Sequence, residues 1–468
     1  MKFLFHSDYG EIADLAIWLC HVGGYEVQLF VVDHAYEKIA EGIVPHIKEW
    51  YRFIGQDYIW VFDGCAHGDL QDWLRQRGEL VVGGCSAGDE LENNRQLNQD
   101  WFREAGFDIA KSRNFTSIDE VTKFVEKHTE QRWILKQNAD APKSINHLGK
   151  FDHSEDMLFH LAELKRSWSE QEFGSFNCDL MEVVEGTEVA ASAFFNGTDW
   201  LRDSVGCVVG YLNFEEKKEA DGGLGETTGE MGTTFVGASE DNKLFRNIIL
   251  RPALAAKLKE IGFHGVFDVN CIVDGSNIYA LEPTMRFGIP ATSYELIEGL
   301  DSDPADLLAA LARGEQLPTS APLEITNDVG MVMCVVAKPF PLEADVEESA
   351  TSLGERLWIL DKDGQPASDF TLRQRQHVHL YNFEYRASEP TEQGSADGEA
   401  SYRVATKVGY HLTVTHRGGA GASIGAVRRS LIKYIRSNIY LSGMKWRSDI
   451  GQRVEEADER FLREAGLL

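Results

Sequence analysis

Over its first hundred residues the chain alternates short apolar runs with amphipathic ones, and no other feature restricts the fold as much. Residues 2–5 predict a strand, and residues 11–22 a helix with Ile12, Leu15, Ala16 and Leu19 at helical spacing. Strands at 26–32, 58–62 and 79–82 and helices at 69–76 and 89–105 continue the pattern. Strands separated by helices pair in parallel, because each crossover helix covers a sheet face. Sheets of this kind present ligands to the carboxyl ends of their strands. The loops 6–10, 63–68 and 83–88 are therefore expected to line one pocket, with Gly10, Gly84 and Ser86 as substrate contacts. None of them carries the spaced glycines of a dinucleotide fingerprint.

A second α/β unit follows, with a helix at 118–127 and a strand at 132–136. That strand, WILK, ends on Lys136, which must find an anion or reach solvent. The polar loop 137–149, with Lys143, is expected to act as a lid over phosphates. A strand at 179–184 carries Glu182. Glu182 and Glu188 flank a turn at Gly186, where a carboxylate can accept hydrogen bonds from a ribose or belong to a solvated hairpin. The glycine-rich stretch 211–235 reads as a binding loop or a flexible surface loop, with Lys217 and Lys218 as partners for an anion. Further on, a helix is expected at 247–261, a boundary at 318–322, a strand at 329–336, a solvated acidic loop at 388–401 and a basic helix at 423–438.

Residues 265–290, GVFDVNCIVDGSNIYALEPTMRFGIP, read as a β-hairpin. If Gly275, Ser276 and Asn277 form its loop, Asp274 opposes Ile278, Asn270 opposes Glu282 and Asp268 opposes Thr284 on one face. Such a face offers hard oxygen donors suited to Mg²⁺, with Arg286 close behind to meet an anion. A loop with an even number of residues turns Asp268 and Glu282 to opposite faces, and a solvated surface hairpin is the plainer alternative.

The formal net charge is −29, from 46 basic and 75 acidic residues. Such a surface repels nucleic acid and anionic lipid, so a nucleotide needs a local positive site. There is no run of about 18 apolar residues, and the opening MKFLFHSDYG turns polar too soon for a secretory signal. A cytoplasmic protein without membrane or nucleic-acid partners is expected. The seven cysteines are scattered, without a C-x-x-C pair, and read as buried free thiols.

Several segments, in order, resemble the ATP-grasp ligases, and among them the glycinamide ribonucleotide synthetase (phosphoribosylamine–glycine ligase) family. GGCSAGDELENNR is similar to the family's GP…A..EGSK, WILKQNADAP to VVKADGLAAGKG, and DLMEVVEGTEVAAS to EEFLDGEEAS. TTGEMGTT resembles NTGGMGAY, ALEPTMRFGIP resembles LEFNARFGDP, and RSDIG at 447–451 stands where the family has RKDIG. The resemblance implies an ATP-grasp fold behind a parallel α/β domain. Its domains fall at 1–105, 106–325 (with a lid near 115–185) and 326–468, the last an α+β domain.

The activity so implied is ATP- and Mg²⁺-dependent joining of a carboxylate to an amine through an acyl phosphate, as in purine biosynthesis, with Mn²⁺ as a substitute metal. Lys136, Lys143 and Lys217 would bind phosphate, Glu182, Val183 and Val184 would line adenine, and Glu188 would hold the ribose. Glu282, Asp268 and Thr284 would bind the metal, Arg286 would face the transferred phosphate, and Gly229, Met231 and Gly232 would contact substrate. The partners are small molecules, and the chain would act as a monomer or homodimer. Where the family has GNGGREHA, this chain has HSDYGEIADLA. Thr284 replaces the metal-binding Asn, Ile289 replaces the Asp after RFG, and AKPFP replaces the GYPG segment. These departures leave two alternatives, the same chemistry on another amine or amino acid, and a non-catalytic nucleotide-binding protein.

Overall fold

Strands β1 (Lys2–Ser7), β2 (Glu26–Val31), β3 (Ile59–Phe62) and β4 (Leu80–Val82) pair in parallel in the order β2-β1-β3-β4. Their apolar residues leave water on one side against helix Gly68–Gln76, in a core of Leu4, Trp60, Phe62, Leu74 and Val81. Each such side chain contributes about 1.5–3 kcal/mol by burial. The single helix expected at 89–105 is two helices, Ser86–Asn93 and Arg95–Glu104. Asn94 between them is extended (φ −110°, ψ 97°), and its side chain accepts the Leu97 N–H at 3.1 Å. A short polar side chain that caps the following turn here outcompetes helix continuation.

The computed structural model describes residues 1–137, 146–169, 174–275, 277–325, 328–342, 346–388 and 400–464. The chain divides into two units, one of residues 1–106, 188–270 and 282–468, the other of residues 107–187 and 271–281. In the smaller unit β5 (Ser112–Phe115), β6 (Trp133–Gln137), β7 (His147–Leu148) and β8 (Cys178–Glu182) form an antiparallel sheet in the order β5-β8-β6-β7. Helices Ile118–Glu126 and Glu155–Ser167 contribute Val121, Val125, Met157 and Leu161 to its core, against Leu135 and Leu180.

The largest sheet has eight strands: β9 (Thr187–Asn196), β10 (Val209–Ala220), β11 (Leu224–Ser239), β12 (His264–Asp274), β13 (Asn277–Thr284), β14 (Val329–Val336), β15 (Val378–Leu380) and β16 (Tyr410–Arg417). Their order is β13-β12-β9-β10-β11-β14-β16-β15. The glycine-rich stretch 211–235 is thus a long ribbon rather than a loop. Strands β10 and β11 pair from Val209↔Ser239 to Glu216↔Gly232, then through register shifts to Ala220↔Leu224. Gly222 and Gly223 take positive φ (74° and 69°) at the turn, as residues without a Cβ readily do. The tip is pinned by the RSDIG segment. Arg447 pairs with Glu216 at 3.0 Å and with Asp449 at 2.6 Å, and Asp449 accepts the Gly222 N–H at 2.8 Å.

The helix expected at 247–261 also divides, into Lys243–Ile249 and Pro252–Glu260. Pro252 has no N–H to continue a helix and holds Arg251 extended, yet suits the first turn of a new one. All seven cysteines are free, four of them buried and three half-buried. Among the described residues no helix is long and apolar enough to cross a membrane.

Asp63, just beyond β3, is buried, accepts the Ser7 hydroxyl, and accepts the Ile12 N–H at 3.3 Å. Burial raises its pKa to about 7, and the nearby Glu11 carboxylate adds to the rise. An unfolded Asp titrates near 3.9, so the native state binds the extra proton between about pH 4 and pH 7. The stability contribution of this group is complete below the unfolded value and is lost as pH rises through the folded one. Asp63→Asn is expected to flatten the fall in urea midpoint between about pH 4 and pH 7 relative to the parent. Parallel pH profiles for the two proteins would refute this.

Candidate functional site

The ammonium of Lys217, on β10, sits among carboxylates of the larger unit. It lies 3.0 Å from Glu215 and 3.3 Å from Glu188. Burial by itself would lower the Lys217 pKa, but Glu215, Glu188 and Glu282 outweigh it and hold the pKa above the ordinary lysine value. Asn213, earlier on the same strand, reaches two further acids. Its Nδ2 donates to Asp268 at 2.9 Å and to Glu295 at 3.2 Å, and Glu295 also accepts the Ser192 hydroxyl.

Three acids here resist ionisation. Asp268 is raised well above its usual range by burial and by Glu215 and Glu295. Burial and Glu215 raise Glu230, whose carboxylate accepts the Thr233 hydroxyl. Burial raises Glu295 to about 7. Several acids with one lysine among them favour a further cation, because crowded buried carboxylates raise one another's pKa until positive charge is supplied.

The oxygens left without partners agree with this. Oδ1 of Asp268, Oδ1 of Asn270 and Oδ1 of Asn213 are buried and accept no hydrogen bond. Asp268 and Asn270 are two apart on β12 and so share a face. Orphaned oxygens beside carboxylates are the donor set a hard cation takes, so the residues present fit Mg²⁺.

β12 ends at Asp274 and β13 begins at Asn277, and Ser276 of the expected hairpin loop lies outside the described residues. Lys217 is the group that both Asp268 and Glu282 sense: Glu282 raises its pKa, and its charge lowers that of Asp268. Thr284, half-buried, closes β13.

Arg286 follows β13 and is held by the helix after β4. Its Nε lies 2.9 Å from Glu92 Oε1, while Glu92 Oε2 accepts the Met285 N–H at 2.8 Å. Burial would lower the Arg286 pKa, but Glu92, Glu11 and Cys65 raise it, so the guanidinium stays charged. The segments that follow β1, β3 and β4 touch one another. His67 contacts Asp8 at 2.5 Å, the Gly68 N–H donates to Asp89 at 2.6 Å, and Ser86 Oγ donates to Asp72 at 2.7 Å. Gly68 and Gly84 permit these approaches, since a Cβ would fall 2.4 Å from the Ser86 backbone at the first and 2.9 Å from the Met285 carbonyl at the second. Gly10 donates its N–H to Ser7 Oγ at 2.7 Å.

Among the other expected substrate contacts, Met231 is buried with Cys334, Val336 and Phe340, and Gly232 pairs with Met333 of β14. Their places are in the sheet and its core. Gly229 has open space where its Cβ would lie.

In the smaller unit Lys136 stands opposite Asp179 across β6 and β8, and Glu182 stands opposite Trp133. Lys111 lies 3.5 Å from Glu182. The Val183 N–H donates to the Arg132 carbonyl at 3.0 Å, and Val183 and Val184 are half-buried apolar side chains beyond the end of β8. Lys143 and most of the expected lid loop lie outside the described residues.

Residues 93–292 match the family model of the phosphoribosylglycinamide synthetase ATP-grasp (A) domain. The protein has the ATP-grasp fold. A phosphoribosylamine–glycine ligase of Xylella fastidiosa (strain Temecula1) is 22% identical over 279 residues, 58% of this chain and 61% of that one. The chain therefore spans about three fifths of the length of this curated relative. The crystal structure of the Thermotoga maritima phosphoribosylamine–glycine ligase aligns with a TM-score of 0.65 at 16% identity, over 96% of this chain and 99% of that one. The biotin carboxylase domain of the Hydrogenobacter thermophilus 2-oxoglutarate carboxylase, in complex with MgADP and bicarbonate, aligns with a TM-score of 0.58 at 12% identity, over 99% and 98% of the two chains.

The ATP-grasp match takes in Lys136, Glu182, Glu188, Lys217, Asp268, Glu282, Thr284 and Arg286. Sequence reasoning missed Glu92, Asn213, Glu215, Glu230 and Glu295. Only Glu230 left a signal, as an acid standing where the similar segment NTGGMGAY has glycine.

Proposed function

We propose that this ATP-grasp protein is an ATP- and Mg²⁺-dependent ligase that joins a carboxylate to an amine. The observation that carries the reading is the Lys217 cluster, in which orphaned oxygens of Asp268 and Asn270 lie among carboxylates under-supplied with positive charge. Glu282, Asp268 and Thr284 would hold the metal, with Mn²⁺ able to replace it. Bound Mg²⁺ would supply neutralisation of phosphate charge.

Condensing a carboxylate with an amine is uphill in water. A carboxylate oxygen therefore first attacks the terminal phosphorus of ATP and ADP leaves. The amine nitrogen then attacks the acyl carbon, and inorganic phosphate departs as the nitrogen loses a proton. Catalysis of such a sequence rests on positioning and charge. Lys136, Lys143 and Lys217 would bind phosphates, Glu182, Val183 and Val184 the adenine, and Glu188 the ribose. Arg286, fixed by Glu92, would face the transferred phosphate.

One observation favours an amine other than phosphoribosylamine. The converging loops carry Asp8, Glu11, Asp63, Asp89 and Glu92, against the cations Arg286 and His67. A substrate site formed by these loops would repel a sugar phosphate and attract a cationic amine without one. ADP release measured with panels of amino acids and amines is expected to depend on both substrates, with phosphate-free amines turning over fastest. Tight ATP binding without turnover across both panels would leave a non-catalytic nucleotide-binding protein as the better reading.

A further inference from the structure

Away from the Lys217 cluster, three elements of the larger unit bring Glu298, His377 and His416 together. Glu298 closes the π-helical turn Tyr294–Glu298, His377 ends the helix Leu372–His377, and His416 lies near the end of β16. One ligand atom from each lies within 4.8 Å of the other two. Two imidazoles and a carboxylate are the donors a first-row transition metal prefers, whereas Mg²⁺ takes oxygens.

The Glu298 and His377 side chains already stand in contact. His377 Nδ1 stands 2.9 Å from Glu298 Oε2 and yet forms no hydrogen bond. Two donors that point at a common third position produce this arrangement. Tetrahedral zinc, with bonds of about 2.0–2.1 Å, sets its ligands roughly 3.3 Å apart, so His416 needs a modest side-chain closure. Glu298 is oriented from behind, accepting the Arg417 N–H at 3.2 Å and the Thr415 hydroxyl at 3.4 Å. Fixing of a ligand by such outer partners is usual at metal sites.

His416 also lines a cavity of about 650 Å³, whose wall carries Lys362, Arg373, Lys433 and Tyr434. The Tyr434 hydroxyl is buried without a hydrogen-bond partner, and its ring packs 4.9 Å from that of His377. Arg373 opposes a bare dication, and the basic wall would welcome an anion that completes the coordination.

We propose that Glu298, His377 and His416 bind one zinc ion, whose open coordination position faces this basic cavity and takes an anionic oxygen ligand such as phosphate or carboxylate. The test uses the full chain stripped with EDTA and then titrated with Co²⁺, a spectroscopic stand-in for zinc, in excess Mg²⁺ that occupies oxygen-only sites. The expected result is one equivalent of Co²⁺ with tetrahedral visible absorption, no thiolate charge-transfer band, and displacement by Zn²⁺. The affinity should fall about 100-fold in His377→Ala and at least about tenfold in the half-buried His416→Gln, which tests the site even if the first variant does not fold. Inorganic phosphate should shift the visible spectrum in the parent and much less in Arg373→Ala/Lys433→Ala. No Co²⁺ binding, a thiolate band, or affinity unchanged by the histidine variants would overturn the metal site. A spectrum indifferent to phosphate would overturn the anion position.

Discussion

Glu282→Gln is expected to lower ADP formation by about 10²–10³-fold at saturating ATP, the usual loss when one preorganised electrostatic partner is removed. The substitution keeps shape and hydrogen-bonding capacity, so what is lost is one unit of negative charge beside Lys217. Glu282 is among the carboxylates that raise the Lys217 pKa. It is half-buried at the end of β13, so the variant should unfold within about 1 kcal/mol of the parent. Raising Mg²⁺ should recover part of the rate, because a weakened metal site is filled by mass action. A rate within about twofold of the parent at ordinary Mg²⁺ would remove Glu282 from the metal site.

Lys217→Met should be as damaging, and its effects can be separated. The ammonium lies 3.0 Å from Glu215 and 3.3 Å from Glu188, and its side chain is 31% exposed. Deleting it leaves repelling acids beside the place proposed for the phosphates, and a loss of about 10²–10³-fold in kcat/KM is expected. Breaking a fully buried pair costs about 3–5 kcal/mol. Partial exposure of both partners screens these charges, so the stability loss here should be well below that. The second variant, Glu215→Gln/Lys217→Met, removes much of the repulsion. Its denaturation midpoint should return toward that of the parent while ADP formation stays low. Recovery of activity together with stability would assign Lys217 a structural role alone.

Much of the fold was legible because it is written in short-range patterns. The strand–helix alternation of the first hundred residues predicted a parallel sheet, and four parallel strands are present. The breaks inside the expected long helices were less visible, since Asn94 and Pro252 each act through the backbone of a single residue. The glycine-rich stretch was misread because glycine content signals flexibility only where no partner strand exists. Here β10 and β11 pair along it, and Arg447, more than two hundred residues away in sequence, pins the tip.

Taken alone, the sequence determined the order of strands and helices, the chain's strong negative charge and the segments that resemble ATP-grasp ligases. Periodicity and composition are local or additive properties, readable without a fold. Only the tertiary structure decided which acids share Lys217, which oxygens are left without partners, and that Glu92 holds Arg286. Those outcomes depend on distance and on exclusion of water, and both are set when strands remote in sequence pack side by side.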